Sequence, residues 1–413
     1  MNHKNKTVHQ TALLFVDDRP CTLAEALFQR SDVKPILLRF QQILEDLPPI
    51  YQEQTQHFLS FVVDMEKPIS QEVKRFQDWQ EQHNFELKYF CNPSEPRQHI
   101  SQRFARLLGL PALSKSQVDW LRNKLSMKKK CKEIGFLVAD FAPVFTPNDV
   151  LAFAQSHGWP VVVKPKEGFA CIDTYKLEGE KDIKKLKLGS NHEWMVESFV
   201  WGEEYECCVL IFKGQVLDAY LSYFPAPPLE ATDGAINANI SLGYLNKDFP
   251  TNMKQIVQQI VDGMDIDHGY MHLEFFLLPD QTVVLSEVGL RLAGCEIPAN
   301  HGFAYGFNIF DALIDIHLGR QPKLEYTQER CVGDLLLPIK PGRVEAITSV
   351  SDLLAMEGVI KAKLKIAVGD SISTRRASHF SSGYVHVEGK TVFEVEYRMQ
   401  RILERFHLKT TDG

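Results

Sequence analysis

The chain has 413 residues, too many for one hydrophobic core, and is expected to fold into two or three domains. Its composition is typical of a globular protein, and 46 basic against 53 acidic side chains give a net charge of −7. Proteins that bind nucleic-acid phosphates usually carry a basic surplus, so no nucleic-acid partner is predicted.

Features of secreted and membrane proteins are missing from the sequence. No apolar run reaches the roughly 18 residues of a membrane span, and the polar N-terminus does not resemble a signal peptide. The eight cysteines are scattered, with one adjacent pair at Cys207 and Cys208 and no CxxC motif. This pattern is typical of reduced thiols rather than disulfides or a zinc site. The sequence therefore predicts a cytoplasmic protein with no membrane partner.

Residues 1–115 alternate strand-like and helical segments. Apolar runs at residues 11–18 and 57–64 predict buried strands, and the spacing at residues 69–83 predicts an amphipathic helix. Strands that alternate with helices indicate a small parallel α/β domain. Gly, Pro and Ser cluster at residues 109–117, which predicts a boundary there.

The pattern changes to short helices and antiparallel strands from about residue 116 to residue 330. A helix is predicted to begin at Asn148 and to stop at Gly158, directly before the strand-like segment WPVVVKPK. Residues 331–413 hold mixed strands and a closing helix, enough for a small C-terminal subdomain. The predicted fold class is α/β, with α+β character in the central part.

Two apolar segments flank a predicted turn at residues 279–281, and each carries one glutamate. If Asp280 and Gln281 form a two-residue hairpin loop, Glu274 and Glu287 face one another about 5 Å apart at Cβ. Alternation along the strands then gives the opposite face a set of apolar side chains suited to a core: Leu273, Phe275, Leu277, Val284 and Val288.

Like charges directly opposite each other destabilise a sheet, so the carboxylate pair needs an explanation. One explanation is a solvated face, where the two charges repel weakly; the other is a divalent cation between them. Oxygen ligands without Cys or His favour Mg²⁺ over zinc, with Mn²⁺ as the second choice. Arg291 is expected on the same face, where it suits a phosphate or a tetrahedral oxyanion or pairs with a glutamate. His272 shares this face, either orienting a ligand or lying in the core.

The sequence has no GxxxxGK[ST] and no GxGxxG motif, which argues against a P-loop or Rossmann nucleotide site. Lys164 ends an apolar run and is followed by a loop that contains Gly168. A lysine, a loop and a second strand can close over a triphosphate, although the same pattern also describes a solvated strand end.

Two acids, Glu197 and Glu204, bracket the short linker FVWG. The acids and the backbone of such a linker can bind adenine and ribose. The alternative is that each of the two is an ordinary surface glutamate. Lys124 lies in a Lys-rich helix, where an exposed side chain is the ordinary outcome. The run Lys128–Lys130 in the same helix is predicted to be exposed.

These segments, taken in order from about Arg103 to the C-terminus, resemble the ATP-grasp superfamily, and within it the dipeptide-forming L-amino-acid ligases. The resemblance implies an ATP-grasp fold with an N-terminal domain at residues 1–115, a two-subdomain nucleotide site at 116–330 and a C-terminal subdomain at 331–413. It also implies a mobile lid at about residues 140–205.

The resemblance assigns roles to ten residues. RNKLSM and WPVVVKP match the family's phosphate-binding lysines, Lys124 and Lys164, and KEGFACI matches its phosphate loop, with Gly168. MVESFVWGEEYE matches the hinge. HLEFFL and LSEVGLRLAG match the metal-binding strands. The remaining implied roles are adenine contacts at Glu197, Phe199 and Val200, a ribose acid at Glu204, metal ligands at Glu274 and Glu287, and a catalytic Arg291 that acts with Lys164.

Two positions depart from the family pattern. Many ATP-grasp enzymes have an asparagine metal ligand two residues after the second glutamate, where this chain has Gly289. Phosphates and water can complete a magnesium shell held by two carboxylates, and amino-acid ligases of this kind can also lack the asparagine. The phosphate loop has one glycine and carries Phe169 and Cys171, which raises the question of a redox-sensitive thiol.

The resemblance implies an enzyme that uses ATP and Mg²⁺ to join a small-molecule carboxylate to an amine through an acyl phosphate. The expected substrates are an amino acid and either an amine or a second amino acid, with ADP and phosphate as products. Two alternatives stay open: another ATP-grasp reaction, such as bicarbonate-dependent carboxylation or a purine-pathway ligation, and a nucleotide-binding protein without catalysis. Dimers are common in the family, so a homodimer is a further alternative to a monomer.

Overall fold

The computed structural model describes residues 11–44, 47–189, 192–231, 235–243, 247, 249–372 and 380–411. The polar N-terminus, on which the signal-peptide prediction depends, lies outside these ranges. Within them, no helix combines the length and the apolar character needed to cross a bilayer.

The N-terminal part is a four-stranded parallel sheet with strand order β3-β2-β1-β4. The central strands are almost wholly buried, because helices cover both faces of a parallel sheet. This confirms the predicted parallel α/β arrangement. The elements are β1 (Thr11–Val16), α1 (Thr22–Phe28), β2 (Val33–Phe40), α2 (Pro49–Thr55), β3 (Leu59–Val63), α3 (Ile69–His83), β4 (Leu87–Cys91) and α4 (Gln98–Leu107).

A second, antiparallel four-stranded sheet has the order β5-β8-β6-β7. Its helix α7 starts where the Asp149 carboxylate accepts a hydrogen bond from the Thr146 N–H (2.7 Å), and it ends before Gly158, whose φ is +85°. The elements, with the two preceding helices, are α5 (Lys115–Arg122), α6 (Lys124–Glu133), β5 (Phe141–Val144), α7 (Pro147–His157), β6 (Val161–Pro165), β7 (Tyr175–Leu177) and β8 (Trp194–Ser198).

The largest sheet has eight antiparallel strands in the order β13-β12-β9-β10-β11-β14-β18-β16. Three strands that follow residue 330, β14, β16 and β18, extend this sheet. The elements up to that residue are β9 (Glu203–Phe212), β10 (Gln215–Tyr223), α8 (Pro228–Ala231), β11 (Ala238–Ser241), α9 (Met253–Met264), β12 (Gly269–Leu277), β13 (Val283–Gly289), α10 (Ile297–Tyr305) and α11 (Ile309–His317).

The C-terminal segment adds a small three-stranded sheet, β17-β15-β19, and the helix α13, which packs on β14 and β18. Its elements are β14 (Cys331–Leu337), β15 (Gly342–Ile347), α12 (Val350–Leu354), β16 (Val359–Leu364), β17 (Ser371–Ile372), β18 (Gly383–Gly389), α13 (Val392–Arg405) and β19 (Leu408–Thr410). One parallel sheet beside antiparallel sheets and helices agrees with the predicted α/β class and its α+β centre.

Candidate active site

A cleft of about 1170 Å³ lies where the three large sheets meet. The second sheet and the face of the eight-stranded sheet form two of its walls, and loops of the N-terminal and C-terminal segments complete it. All ten residues singled out in the sequence line this cleft: Lys124, Lys164, Gly168, Glu197, Phe199, Val200, Glu204, Glu274, Glu287 and Arg291. Residues from distant parts of the chain therefore converge on one space.

The carboxylate pair sits on the β12–β13 hairpin, where Glu274 lies directly opposite Glu287. The predicted two-residue loop is wrong. The Leu278 N–H donates to the Thr282 carbonyl (2.9 Å), so three residues form the loop, and the last of them, Gln281, has a φ of +67°. A β-bulge between Glu274 and Phe275 then restores the register, so that the longer loop and the bulge compensate for each other.

The bulge also changes which side chain completes the core. Leu273, Phe275 and Val288 pack in the core, as the alternation predicts. Phe275 pairs with Leu285, and it is Leu285 rather than Val284 that joins this core cluster. A bulged strand gains one residue on one side only, which moves the following side chains to the other face.

The two facing carboxyl groups differ in their partners. The Lys124 Nζ lies 2.9 Å from a carboxylate oxygen of Glu287, and the Arg291 Nη2 lies 3.8 Å from the other. Burial would raise the pKa of Glu287, but these two cations hold it well below its usual range. Burial, together with the charge of Glu287, raises the pKa of Glu274 well above its usual range. Among the described residues, no Lys or Arg forms an ion pair with Glu274, and the His272 Nδ1 lies 4.0 Å from one of its oxygens.

Arg291 follows the end of β13 and contacts the N-terminal part of the chain. Its Nη2 lies 2.6 Å from Glu95, whose carboxylate also contacts Arg122. Nearby carboxylates, Glu95 first, outweigh burial and raise the pKa of Arg291. Sequence reasoning missed Glu95, because a single acid in the loop between β4 and α4 carries no local signal.

The second sheet supplies a buried ion-pair cluster. One oxygen of Glu197 lies 2.6 Å from the Lys164 Nζ, and the other lies 3.0 Å from the Lys128 Nζ. Burial would raise the pKa of Glu197, but the two lysines lower it to about 2. The prediction that Lys128 is exposed is wrong, since its side chain is only 1% exposed. It lies one helical turn after Lys124 and so shares a face of α6 with it, but this spacing alone does not show which face is buried.

The loop after Lys164 contacts the helix that carries Lys124. The Lys124 Nζ donates to the Gly168 carbonyl (3.1 Å), and the Lys124 N–H donates to the Lys166 carbonyl (2.9 Å). Ala170 and Cys171 both have φ near +54°. Burial raises the pKa of the Cys171 thiol to about 12, so its reactive thiolate form is disfavoured near neutral pH.

The linker between β8 and β9 forms the far end of the cleft. The Phe199 N–H donates to the Pro160 carbonyl (3.2 Å), and the Lys176 Nζ lies 4.2 Å from the centre of the Phe199 ring. Val200 follows in the same linker and lines the cleft. Glu204 starts β9, and burial raises its pKa to about 7, although the charge of Lys164 acts in the opposite direction.

The structure gives a steric reason for glycine rather than asparagine at position 289. It lies directly opposite His272, and a Cβ at position 289 would be 2.4 Å from the His272 Nε2. His272 is buried, so its ring occupies the space that a side chain at position 289 would need. The buried His272 ring on the facing strand therefore accounts for the absence of an asparagine at position 289.

The donor atoms of the hairpin suit a hard divalent cation that also binds phosphates. Among the described residues, no three His, Cys, Asp or Glu side chains are arranged to hold a metal ion by themselves. Glu274 and Glu287 offer two sets of carboxylate oxygens, and Mg²⁺ is commonly held by one or two carboxylates with phosphates and water. Burial and the charge of Glu287 raise the pKa of Glu274, and a cation bound between the two carboxylates would offset both effects.

Two protein families match this chain. Residues 129–293 match the ATP-grasp domain, and residues 335–411 match the L-amino acid ligase C-terminal domain 2. The chain thus contains an ATP-grasp domain followed by an L-amino acid ligase C-terminal domain. The resemblance inferred from the motifs is confirmed.

Individual relatives agree with these matches. The L-arginine-specific L-amino acid ligase of Bacillus subtilis is 23% identical over 303 residues, which are 71% of this chain and 73% of that protein. The crystal structure of an L-amino acid ligase from Bacillus licheniformis has a TM-score of 0.74 at 17% identity and covers 98% of this chain and 100% of its own. The biotin carboxylase domain of Hydrogenobacter thermophilus 2-oxoglutarate carboxylase, a dimer with MgADP and bicarbonate, has a TM-score of 0.67 at 13% identity, covering 96% and 90%. These structures show that the fold is shared.

Proposed function

We propose that this chain, which contains an ATP-grasp domain and an L-amino acid ligase C-terminal domain, is an ATP-dependent carboxylate–amine ligase. It joins an amino acid to an amine or to a second amino acid through an acyl phosphate. The observation that carries the proposal is the facing pair Glu274–Glu287 with Lys124 and Arg291 beside it. The similarity to the L-arginine-specific ligase supports amino acids as the substrate class.

The proposed reaction has two steps. The substrate carboxylate oxygen attacks the γ-phosphorus of ATP, and the bond to the departing ADP breaks. The amine nitrogen then attacks the acyl carbon, phosphate leaves, and the nitrogen gives up a proton. Lys124 and Lys164 neutralise phosphate charge in the first step, and Arg291 holds the oxyanion that develops in the second.

Glu274 and Glu287 are the proposed ligands of Mg²⁺, with Mn²⁺ as the alternative. The bound ion supplies charge neutralisation at the phosphates. The biotin carboxylase neighbour contains MgADP, which supports this choice of nucleotide and metal. The Lys124 ammonium group forms an ion pair with Glu287. It is therefore positioned beside the proposed metal ligands, where it could also contact the phosphates of ATP.

The linker between β8 and β9 is the proposed adenine and ribose site. Phe199 and Val200 line the cleft, and their backbone is the proposed contact for the adenine ring, with Glu197 on the adenine side. Glu204 is the proposed acceptor for the ribose hydroxyls. Small-molecule acids and amines are the proposed substrates, while a homodimer and a cytoplasmic location remain predictions of the sequence.

The experiment that tests the proposal measures phosphate release from ATP and Mg²⁺ with single and paired L-amino acids, and reads product masses in parallel. We expect release that requires an amino acid and a product with the mass of the two substrates less one water. Strict dependence on bicarbonate would instead select carboxylation, the alternative that the bicarbonate-bound neighbour motivates. Tight ATP binding without release under any mixture would show a protein that binds nucleotide but does not catalyse.

A further inference from the structure

The carboxylates of the cleft differ in the number of their cationic partners. Three of them each lie within 4.0 Å of two Lys or Arg side chains: Glu95, Glu197 and Glu287. The eight-stranded sheet contributes four carboxylates to the cleft, and three of them have no Lys or Arg within that distance among the described residues: Glu204, Glu206 and Glu274. The proposed function gives Glu204 the ribose hydroxyls and Glu274 the metal. It gives Glu206 no role, and the polar groups beside Glu206 are the His272 ring and the Cys208 thiol, whose Sγ lies 3.7 Å from a Glu206 oxygen.

Glu206 lies on the same sheet as the metal pair. It is directly opposite Glu274 across β9 and β12, and Glu274 is in turn opposite Glu287 on β13. The three carboxylates therefore form one row across three adjacent strands. Glu206 lines the cleft, yet its side chain is only 2% exposed. A carboxylate buried this far needs a cation or several hydrogen bonds, because burial penalises its charge.

His272 is a second observation that points to a ligand at this position. Its side chain is 1% exposed, and neither ring nitrogen has a hydrogen-bond partner among the described residues. Its Nδ1 lies 3.4 Å from a Glu206 oxygen and 4.0 Å from a Glu274 oxygen. A buried polar ring without partners, placed against the acidic row, indicates a site that is completed only when something binds.

Arg291 and Glu206 present opposite charges to the same part of the cleft. The charge of Glu206 is among those that raise the pKa of Arg291, and it also acts on the pKa of Cys295, four residues further along. An α-amino acid carries its carboxylate and its ammonium group on neighbouring atoms. A guanidinium and a separate buried carboxylate that line the same cleft match the two charges of this zwitterion.

We infer that Glu206 binds the α-ammonium group of the amino acid whose carboxylate Arg291 holds and ATP phosphorylates. The site thereby accepts α-amino acids and discriminates against carboxylic acids that lack the amine. His272 is a positioning residue that lies against Glu206. The inference rests on the proposed ligase function and names the chemical class of its acid substrate.

The test compares each of the twenty L-amino acids with the acid of the same skeleton that lacks the amine, such as L-alanine with propionate and L-leucine with 4-methylpentanoate. The readouts are the KM from phosphate release and, independently, calorimetric binding in the presence of Mg²⁺ and ADP. For Glu206→Gln, we expect the KM of the amino acid to rise by about tenfold to a hundredfold. The KM of the acid without an amine and the affinity for ADP should stay unchanged.

Glu203→Gln is the matched control, because Glu203 is an exposed acid on the same strand and lies outside the cleft. Unchanged ADP affinity in Glu206→Gln shows that the variant is folded. Glu206→Asp, which keeps the charge, should lie between the wild type and Glu206→Gln.

Three outcomes overturn the inference. The first is an unchanged amino-acid KM in Glu206→Gln. The second is a wild-type enzyme that uses both kinds of acid equally well. The third is a loss of Mn²⁺ affinity in Glu206→Gln, measured by electron paramagnetic resonance, without a change in amino-acid binding, which would make Glu206 a metal ligand. A wild-type protein that releases no phosphate with any amino acid refutes the proposed function itself, so the two failures are distinguishable.

Discussion

At the scale of single residues, Glu274 and Glu287 carry the same chemical group on facing strands, yet their pKa values move in opposite directions. Glu287 has Lys124 and Arg291 beside it, and its pKa is held low. Glu274 is buried next to that negative charge, no Lys or Arg in the described part of the chain forms an ion pair with it, and its pKa is raised. A cation between them would remove this asymmetry, because it stabilises both ionised forms.

Replacement of Glu287 by Gln tests the metal assignment. We expect turnover to fall by at least about a hundredfold, because Gln keeps the shape of the side chain but loses a charged ligand. Circular dichroism and thermal unfolding should show a folded protein. Glu325→Gln, at an exposed glutamate in the described part of the chain, is the control and should keep wild-type turnover. Near wild-type activity in Glu287→Gln would refute the assignment.

Glu204 predicts a pH dependence of stability. Its pKa of about 7 in the folded protein exceeds the ordinary value of 4.5, so the folded state keeps a proton that the unfolded state has already lost. This group's contribution to stability therefore falls as pH rises from about 4.5 to 7.

Urea unfolding of the wild type and Glu204→Gln between pH 4.5 and 8 measures the effect. The variant should gain about 1–2 kcal/mol relative to the wild type across this window and no more above it. The gain is smaller than the full shift implies, because the side chain is partly exposed. A difference that does not change with pH would show that the Glu204 pKa is not raised. Glu203→Gln should show no such change.

At the scale of elements, helix α6 shows how one lysine run divides between surface and interior. Lys128 is buried against Glu197, whereas the next residue, Lys129, is exposed. Burial lowers the pKa of Lys128, and the charge of Glu197 partly offsets this. Sequence spacing alone does not show which face of a uniformly basic helix meets a buried acid.

The contrast between these two lysines is testable by substitution. Lys128→Met should lower the free energy of unfolding by about 2–3 kcal/mol, because it leaves Glu197 buried with Lys164 as its one remaining cation among the described residues. Lys129→Met should change it by less than about 0.5 kcal/mol. Chemical denaturation of both variants under the same conditions gives the comparison. Equal effects at the two positions would argue against the buried ion-pair cluster.

The β12–β13 hairpin shows that register depends on more than the loop. The predicted pairing of Glu274 with Glu287 is present, although the loop is one residue longer than predicted. The bulge that compensates for the longer loop leaves no clear signal in the sequence, because its effect on the free energy of folding depends on packing against β9 and the core.

At the scale of the whole molecule, the cleft exists only because three sheets meet. The second sheet brings Lys164 and Glu197, the eight-stranded sheet brings Glu274 and Glu287, and the N-terminal part brings Glu95 to Arg291. The second sheet has its own small core, which would let it move as a unit. This sheet lies within the proposed lid at residues 140–205. Closure of the lid over a bound nucleotide would exclude water from the cleft.

Hydrogen exchange with and without Mg²⁺ and a non-hydrolysable ATP analogue tests the proposed lid. We expect slower amide exchange after nucleotide binding in residues 166–177 and 198–202, which contain the phosphate loop and the linker. The parallel sheet of the N-terminal part should show unchanged exchange and serves as the internal control. Protection confined to the β12–β13 hairpin would argue against lid closure.

The sequence by itself determined where many of the elements lie and which side chains meet in the cleft, whereas the chemical roles of those side chains stay predictions. Periodicity located the strands around Lys164 and Glu274 and the helix at residues 69–83, because local spacing reflects which side chains must be buried. The order of the motifs predicted the ATP-grasp domain and all ten cleft residues. Tertiary structure decided the burial of Lys128, the contact of Glu95 with Arg291 and the position of Glu206 beside Glu274. These depend on packing and desolvation between segments far apart in the chain, and a local pattern carries no record of them.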